Sequence, residues 1–123
     1  MTGRSDDGSV RRLLPLPPAV FQILIAIGDG ERHGYAIMQD VAARTDGRVR
    51  LSPGTLYGSI RKMLDDRLIE ELDERPARGA AHDERRRYYR VTRFGRAVAA
   101  AEAERYQSLV QQARATGLVP KRS

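Results

Sequence analysis

The sequence predicts a mainly α fold with a small β-hairpin: three short helices, two strands joined by a long loop, and one long closing helix. Three observations predict it. Residues 51–71, LSPGTLYGSIRKMLDDRLIEE, combine a marked helix start with a single apolar stripe. Two short β-suited runs, residues 69–72 and 88–91, flank a polar loop over residues 74–86. From residue 93 an Ala-rich stretch of good helix formers continues to about residue 115.

Taken in order, residues 1–12 are small and charged without apolar periodicity, which predicts a disordered arm. From Pro17 or Pro18 the run AVFQILIAIGDG predicts a mostly buried first helix that stops at the glycines of residues 28–30. A second helix over residues 33–44 turns Tyr35, Met38, Val41 and Ala42 to one side, and TDG breaks it. Arg48, Val49 and Arg50 read as a minimal strand.

The third helix is the most informative element. Ser52 can cap its free N–H groups, and Pro53 at the first helical position loses no bond, because its missing donor would be unpaired anyway. Leu56, Ile60, Met63 and Leu64 follow at i, i+4, i+7 and i+8, so they share one stripe that must face a core. The other side presents Gly54, Thr55, Gly58, Arg61 and Lys62, with Tyr57 on the flank. These groups are small where a backbone would approach, and cationic or hydroxyl-bearing where phosphates or base edges would be met. The pattern points to a reader of nucleic acid, with an ordinary solvated helix face as the alternative for this segment alone.

Beyond Leu68, the runs over residues 69–72 and 88–91 suit antiparallel pairing. The ERPARGAAHDERR loop between them is too long for a tight hairpin and too polar to be buried, which predicts an extended wing. Thr92 offers the next N-cap, and about 23 residues of helix follow, roughly 35 Å. Within it Ala99, Ala103, Tyr106, Val110 and Ala113 recur at spacings of four and three, the seam of a coiled-coil-like contact. Its expected partner is a second copy of the chain, with Phe21 and Leu24 of the first helix and Leu109 completing the contact; folding back over its own first helix is the alternative. The parts are thus an arm (1–12), a winged helix-turn-helix unit (13–91), a C-terminal dimerisation helix (92–116) and a flexible tail (117–123).

Composition narrows the function. The 123 residues suit one domain, and the net charge of +6 with pI near 10.3 favours an anionic partner. The excess lies late: residues 73–90 carry six Arg against four acids, and residues 91–123 six cations against two Glu. No cysteine is present, so thiolate metal sites and cysteine nucleophiles are excluded. The longest apolar run, residues 19–27, is far shorter than the roughly 20 residues of a membrane span, and residues 1–12 are too polar for a signal peptide. A soluble cytoplasmic protein without membrane contact is expected. His33 suits a structural hydrogen bond and His82 stands alone, so no metal site is expected. The acid pairs Asp65, Asp66 and Glu70, Glu71 diverge as sequence neighbours, and no phosphate-binding glycine loop or nucleophile set occurs. No enzyme and no cofactor are predicted.

The residues also resemble the PadR family of bacterial transcriptional regulators. The resemblance is carried by LPPAVFQILIAIGDGERHGYAIMQDV, LSPGTLYGSIRKMLDDRLIEE and RRRYYRVTRFGR, which are similar to the family's opening helix with its HGY turn, its recognition helix, and the strand entering its last helix. A single C-terminal helix is similar to the short subgroup. Two residues depart: Gly58 follows Tyr57 where the family commonly has Pro, and Arg67 precedes Leu68 where Gly commonly closes the helix. What the resemblance implies is a homodimeric repressor on a pseudo-palindromic operator in double-stranded DNA, with half-sites about one helical turn apart. Ser52, Gly54, Thr55, Tyr57, Gly58, Arg61 and Lys62 would line the DNA face. Arg61 suits a bidentate contact to guanine and Lys62 a phosphate. Tyr57 has a partly buried core role as its alternative. Arg85, Arg86 and Arg87 of the wing would meet backbone or minor groove, with a solvated charge run as the alternative. A small-molecule effector has a place in the dimer cleft, although the few aromatics leave ligand-free regulation open. The rival function is a protein-interaction module without DNA binding.

Overall fold

A computed structural model describes residues 4–72, 75–76 and 85–120. The elements run α1 (Arg4–Arg12), α2 (Pro18–Ala26), β1 (Arg32–His33), α3 (Gly34–Arg44), α4 (Pro53–Asp65), β2 (Ile69–Glu71), β3 (Arg75–Pro76), β4 (Arg85–Arg86), β5 (Tyr88–Val91) and α5 (Arg93–Ala115). The fold is the mainly helical winged helix-turn-helix that the sequence predicts.

The core forms where the apolar stripes of α2, α3 and α4 converge. Ile23, Ile27, Ile37, Leu56, Met63 and Val98 are fully buried there. Leu68 and Ile69 close its lower edge, so the apolar spacing of α4 faces the core as predicted. A three-stranded sheet of order β1-β5-β2 covers one end, with Ile69 opposite Val91 and Arg32 opposite Tyr89. β3 and β4 pair separately at the base of the wing; the expected wing tip, residues 77–84, lies outside the described residues.

Each well-formed helix start has a local cause. The Ser52 hydroxyl accepts the Thr55 N–H at 3.1 Å, and the Thr92 hydroxyl accepts that of Gly95 at 2.9 Å. At α3 an imidazole does the same work, His33 Nδ1 accepting the Ala36 N–H at 3.2 Å. The helix-breaking TDG places Asp46 at φ 52° and Gly47 at φ 77°, and Gly47 N–H closes back on the Ala42 carbonyl at 2.7 Å.

Three expectations are corrected. Residues 4–12, expected as a disordered arm, form α1, because Val10 finds a buried place and the helix docks against α5; residues 1–3 lie outside the described residues. Arg48, Val49 and Arg50 form no strand: the Thr45 hydroxyl accepts the Val49 N–H at 3.0 Å, so that backbone is satisfied within its own turn. The short strand lies instead at Arg32–His33, where the edge of β5 supplies a partner. Leu24 is 2% exposed and points into the core, which removes it from the expected dimer contact. The expected tail stands apart from these: Gly117 takes φ 83° and turns the chain after α5, and residues 121–123 lie outside the described residues.

Candidate nucleic-acid interface

The outer face of α4 is built by its cap and by its glycines. Ser52 spends its hydroxyl on the cap and on Thr55, whose Oγ1 it meets at 3.1 Å, so these two side chains are ordered at the helix entrance. Gly54, Thr55 and Gly58 are exposed in the next turns. A Cβ placed on Gly54 or Gly58 would meet nothing within 4 Å. No neighbour within the fold therefore requires glycine there, even though Gly58 lowers helix stability by about 1 kcal/mol relative to Ala. What the two glycines do is flatten the outer surface, and Gly54, Gly58 and Arg61 lie on one ridge at i, i+4 and i+7.

Arg61 and Lys62 stand at the end of that ridge, both exposed. Arg61 makes no ion pair among the described residues, whereas Lys62 Nζ lies 3.3 Å from Asp66. Asp65 and Asp66 then make the C-terminal turn unwelcoming to phosphate, so the face able to meet an anion is the N-terminal two and a half turns. Arg48 and Arg50, exposed on the loop leading to Ser52, extend it. The sequence reading passed over both because they were assigned to a strand.

Tyr57 takes the partly buried role that was its alternative while keeping an exposed face. It is 48% exposed, yet its ring rests on the start of α3, where a Cβ on Gly34 would collide with the Tyr57 hydroxyl. The glycine of HGY is thereby explained: it lets α4 approach α3 closely enough to seat this ring. Behind it, burial raises the Tyr89 hydroxyl above its ordinary range, with the Glu71 charge adding to the shift. That keeps the phenol neutral.

The wing arginines are described only in part. The Arg85 and Arg86 side chains lie outside the described residues. Arg87 is exposed and reaches Glu71 at 3.8 Å, and Arg90 pairs with Glu70 at 3.0 Å. The acids of β2 thus neutralise part of the strand that follows the wing.

The expected dimer face is partly brought together. Phe21 and Tyr106 stack with ring centroids 5.5 Å apart and planes at 15°. Ala103, Leu109 and Val110 are exposed, while Ala113 is half-buried and Ala99 packs on the core. An open recess of about 370 Å³ runs along Phe21, Tyr106, Val110 and Arg114. Half of the predicted alternative also holds, since α5 folds over its own α2 as far as Tyr106; beyond that the apolar stripe is uncovered. Sequence reasoning missed Glu102, which is fully buried and accepts the Leu16 N–H at 2.8 Å and the Arg105 guanidinium at 2.6 Å. Of the two Glu in this Ala-rich helix, nothing in the local sequence marks Glu102 rather than Glu104 as the buried one.

Among the described residues no cluster could hold a metal ion, and no helix is long and apolar enough to cross a membrane. The chain is 31% identical over 75 residues to an uncharacterised protein of Lysinibacillus sphaericus. Over 53 residues it is 38% identical to an uncharacterised 37.1 kDa protein encoded in a transposon of Streptomyces fradiae. These matches cover 61% and 43% of this chain, and 65% and 15% of the two relatives. Among solved structures, a Streptococcus transcriptional regulator superposes with TM-score 0.66 at 22% identity, covering 84% of this chain and 97% of its own. A PadR family regulator of Clostridium difficile gives 0.63 at 18%, covering 84% and 100%. A transcriptional regulator of Clostridium thermocellum gives 0.64 at 20%, covering 91% and 97%. Residues 23–101 match the transcriptional regulator PadR-like family, which runs from the second half of α2 to the first turns of α5, and the chain belongs to that family.

Proposed function

We propose that the protein is a homodimeric repressor that reads a pseudo-palindromic operator through the N-terminal turns of two α4 helices set in successive major grooves. The observation that carries this reading is the flat ridge of Gly54, Gly58 and Arg61, where glycines that the fold does not need clear the way to an unpaired guanidinium. An α-helix fits the major groove only if its backbone can come close, and a free guanidinium there can take guanine in a bidentate contact. Lys62, Arg48 and Arg50 supply phosphate contacts, with the wing arginines 85–87 reaching the flanking backbone. The stripe of Ala103, Tyr106, Leu109 and Val110 pairs with its copy in the partner and sets the half-site spacing. The recess beside Phe21 and Tyr106 then becomes part of a cleft between subunits, the place for a small-molecule effector.

The test is a gel shift on the DNA upstream of the protein's own gene at several salt concentrations. Arg61→Ala combined with Lys62→Ala is expected to weaken binding by about 10–100-fold and to flatten the salt dependence. Unchanged binding by this double variant would move the function to protein interaction and leave the winged helix as a scaffold.

A further inference from the structure

Lysine is scarce in this chain. Of its 22 cationic residues twenty are arginines, and the two lysines are Lys62 and Lys121. Lys62 is the one lysine among the described residues, and it stands on the outer side of α4 directly after Arg61. The two cations differ in chemistry. A guanidinium stays protonated throughout the physiological range and is inert to acyl donors, whereas a lysine amine in its neutral form is a nucleophile. Of the exposed cations Arg48, Arg50, Arg61 and Lys62, only Lys62 can therefore lose its charge to an acyl group.

The surroundings leave this amine accessible. The Lys62 side chain is 67% exposed, and its Nζ lies 3.3 Å from the nearer carboxylate oxygen of Asp66, one turn further on. An exposed i, i+4 ion pair of this kind is weak and opens readily. Asp66 is the more enclosed member, with its side chain 22% exposed, so the amine moves while the carboxylate stays. Lys62 also lines a recess of about 210 Å³ whose other walls include Leu16, Val20, Met63 and Leu68. An acyl group of roughly two to four heavy atoms, each taking about the 30 Å³ share of a water molecule, has room there.

We propose that Lys62 is a modification site, at which an acyl phosphate transfers its acyl group to Nζ. The neutral amine attacks the carbonyl carbon; the C–N bond forms, the bond from that carbon to the phosphate oxygen breaks, and phosphate leaves with the electron pair. The proton lost by nitrogen ends on the departing phosphate, so amine and acyl phosphate become amide and hydrogen phosphate without any oxidant or reductant. Exposed Arg61, which makes no ion pair among the described residues, favours the approach of this anionic donor. Once acylated, the side chain has no ammonium to hold at Asp66, and its apolar end has the recess beside it. The charge of the helix face changes accordingly: Lys62 and Asp66 cancel as a pair, whereas the amide leaves the Asp66 carboxylate uncompensated at the edge of the proposed DNA face. Loss of DNA affinity rests on the DNA-binding reading; the modification itself does not.

The test treats the full chain, and its Lys62→Arg and Lys121→Arg variants, with acetyl phosphate. Acetyl groups are mapped by peptide mass spectrometry, and each protein's gel shift is compared before and after treatment. Lys62 is expected to be acetylated at least as fast as Lys121, which serves as the reference amine in the same molecule. Treatment is expected to weaken DNA binding about tenfold in the wild type and in Lys121→Arg, with the salt slope reduced by about one, and to change Lys62→Arg by less than about twofold. Acetylation of the N-terminal amine is common to all three proteins and cancels in this comparison. Lys62 left unmodified while Lys121 is acetylated would overturn the site, and an equal loss of binding in Lys62→Arg would overturn its effect on DNA. A chain that is acetylated at Lys62 but shifts no DNA before treatment keeps the modification and loses the DNA reading; a chain that shifts DNA and resists acetylation at Lys62 does the opposite.

Discussion

Glu102 shows how one side chain holds distant parts of this chain together. Its carboxylate joins α5 to the segment after α1 through the Leu16 N–H, and Arg105 supplies the countercharge. The Arg105 hydrogen bond holds the carboxyl below its usual range, with the Leu16 N–H assisting and burial opposing. The folded state therefore favours the ionised form. Its stabilisation is complete above the ordinary glutamate range near pH ~4.3 and is lost as pH falls through the lowered folded value. Glu102→Gln is expected to cost about 1–3 kcal/mol at pH 7, toward the lower end because the Arg105 side chain is 35% exposed and partly screened. Urea unfolding between pH 7 and pH 3 checks this: the acid limb of the wild type should be steeper than that of the variant, and equal limbs would refute it. Gly34 makes a second residue-scale case. Gly34→Ala is expected to destabilise by about 1–3 kcal/mol through collision with the Tyr57 ring, and to cost much less in a Tyr57→Ala background. Additive costs in that double-mutant cycle would mean that the two residues do not meet.

At the scale of elements, local chemistry sets where helices begin, while neighbours decide whether weak segments fold at all. The Thr92 hydroxyl accepts the Gly95 N–H and donates to the carbonyls of Arg67 and Leu68, so one group caps α5 and ties it to the end of α4. Thr92→Ala is expected to lower stability by about 1–2 kcal/mol, more than an exposed cap such as Ser52, and thermal unfolding of the two alanine variants compares them directly. Such starts were legible because capping needs only a hydroxyl at the right offset. α1 was not, since residues 4–12 include Gly, Ser and Asp, which are weak helix formers, and the helix depends on its seat against α5. β1 was illegible for a related reason: two residues carry no alternation, and only the exposed edge of β5 makes Arg32 and His33 a strand.

At the scale of the whole molecule, the unfinished feature is the distal half of α5. Tyr106, Leu109 and Val110 remain 39–47% exposed on a helix of 23 residues, too large an apolar face to suit an isolated chain. Val110→Asp is expected to convert a dimer into monomers and to weaken operator binding, because two half-sites would no longer be held at one spacing. Light scattering measures the first effect, and an intact dimer would contradict the proposed contact.

The sequence by itself determined the fold class, the start of α4, the bounds of α5, and the outward-facing groups of α4, because caps and apolar periodicity act within a few residues of themselves. Only tertiary structure decided that Leu24 turns inward, that Arg32 and His33 rather than residues 48–50 complete the sheet, and that Glu102 is buried. The physical reason is that each of these depends on a partner far away in the chain. A side chain's surroundings, unlike its helix-forming tendency, are not written in its neighbours.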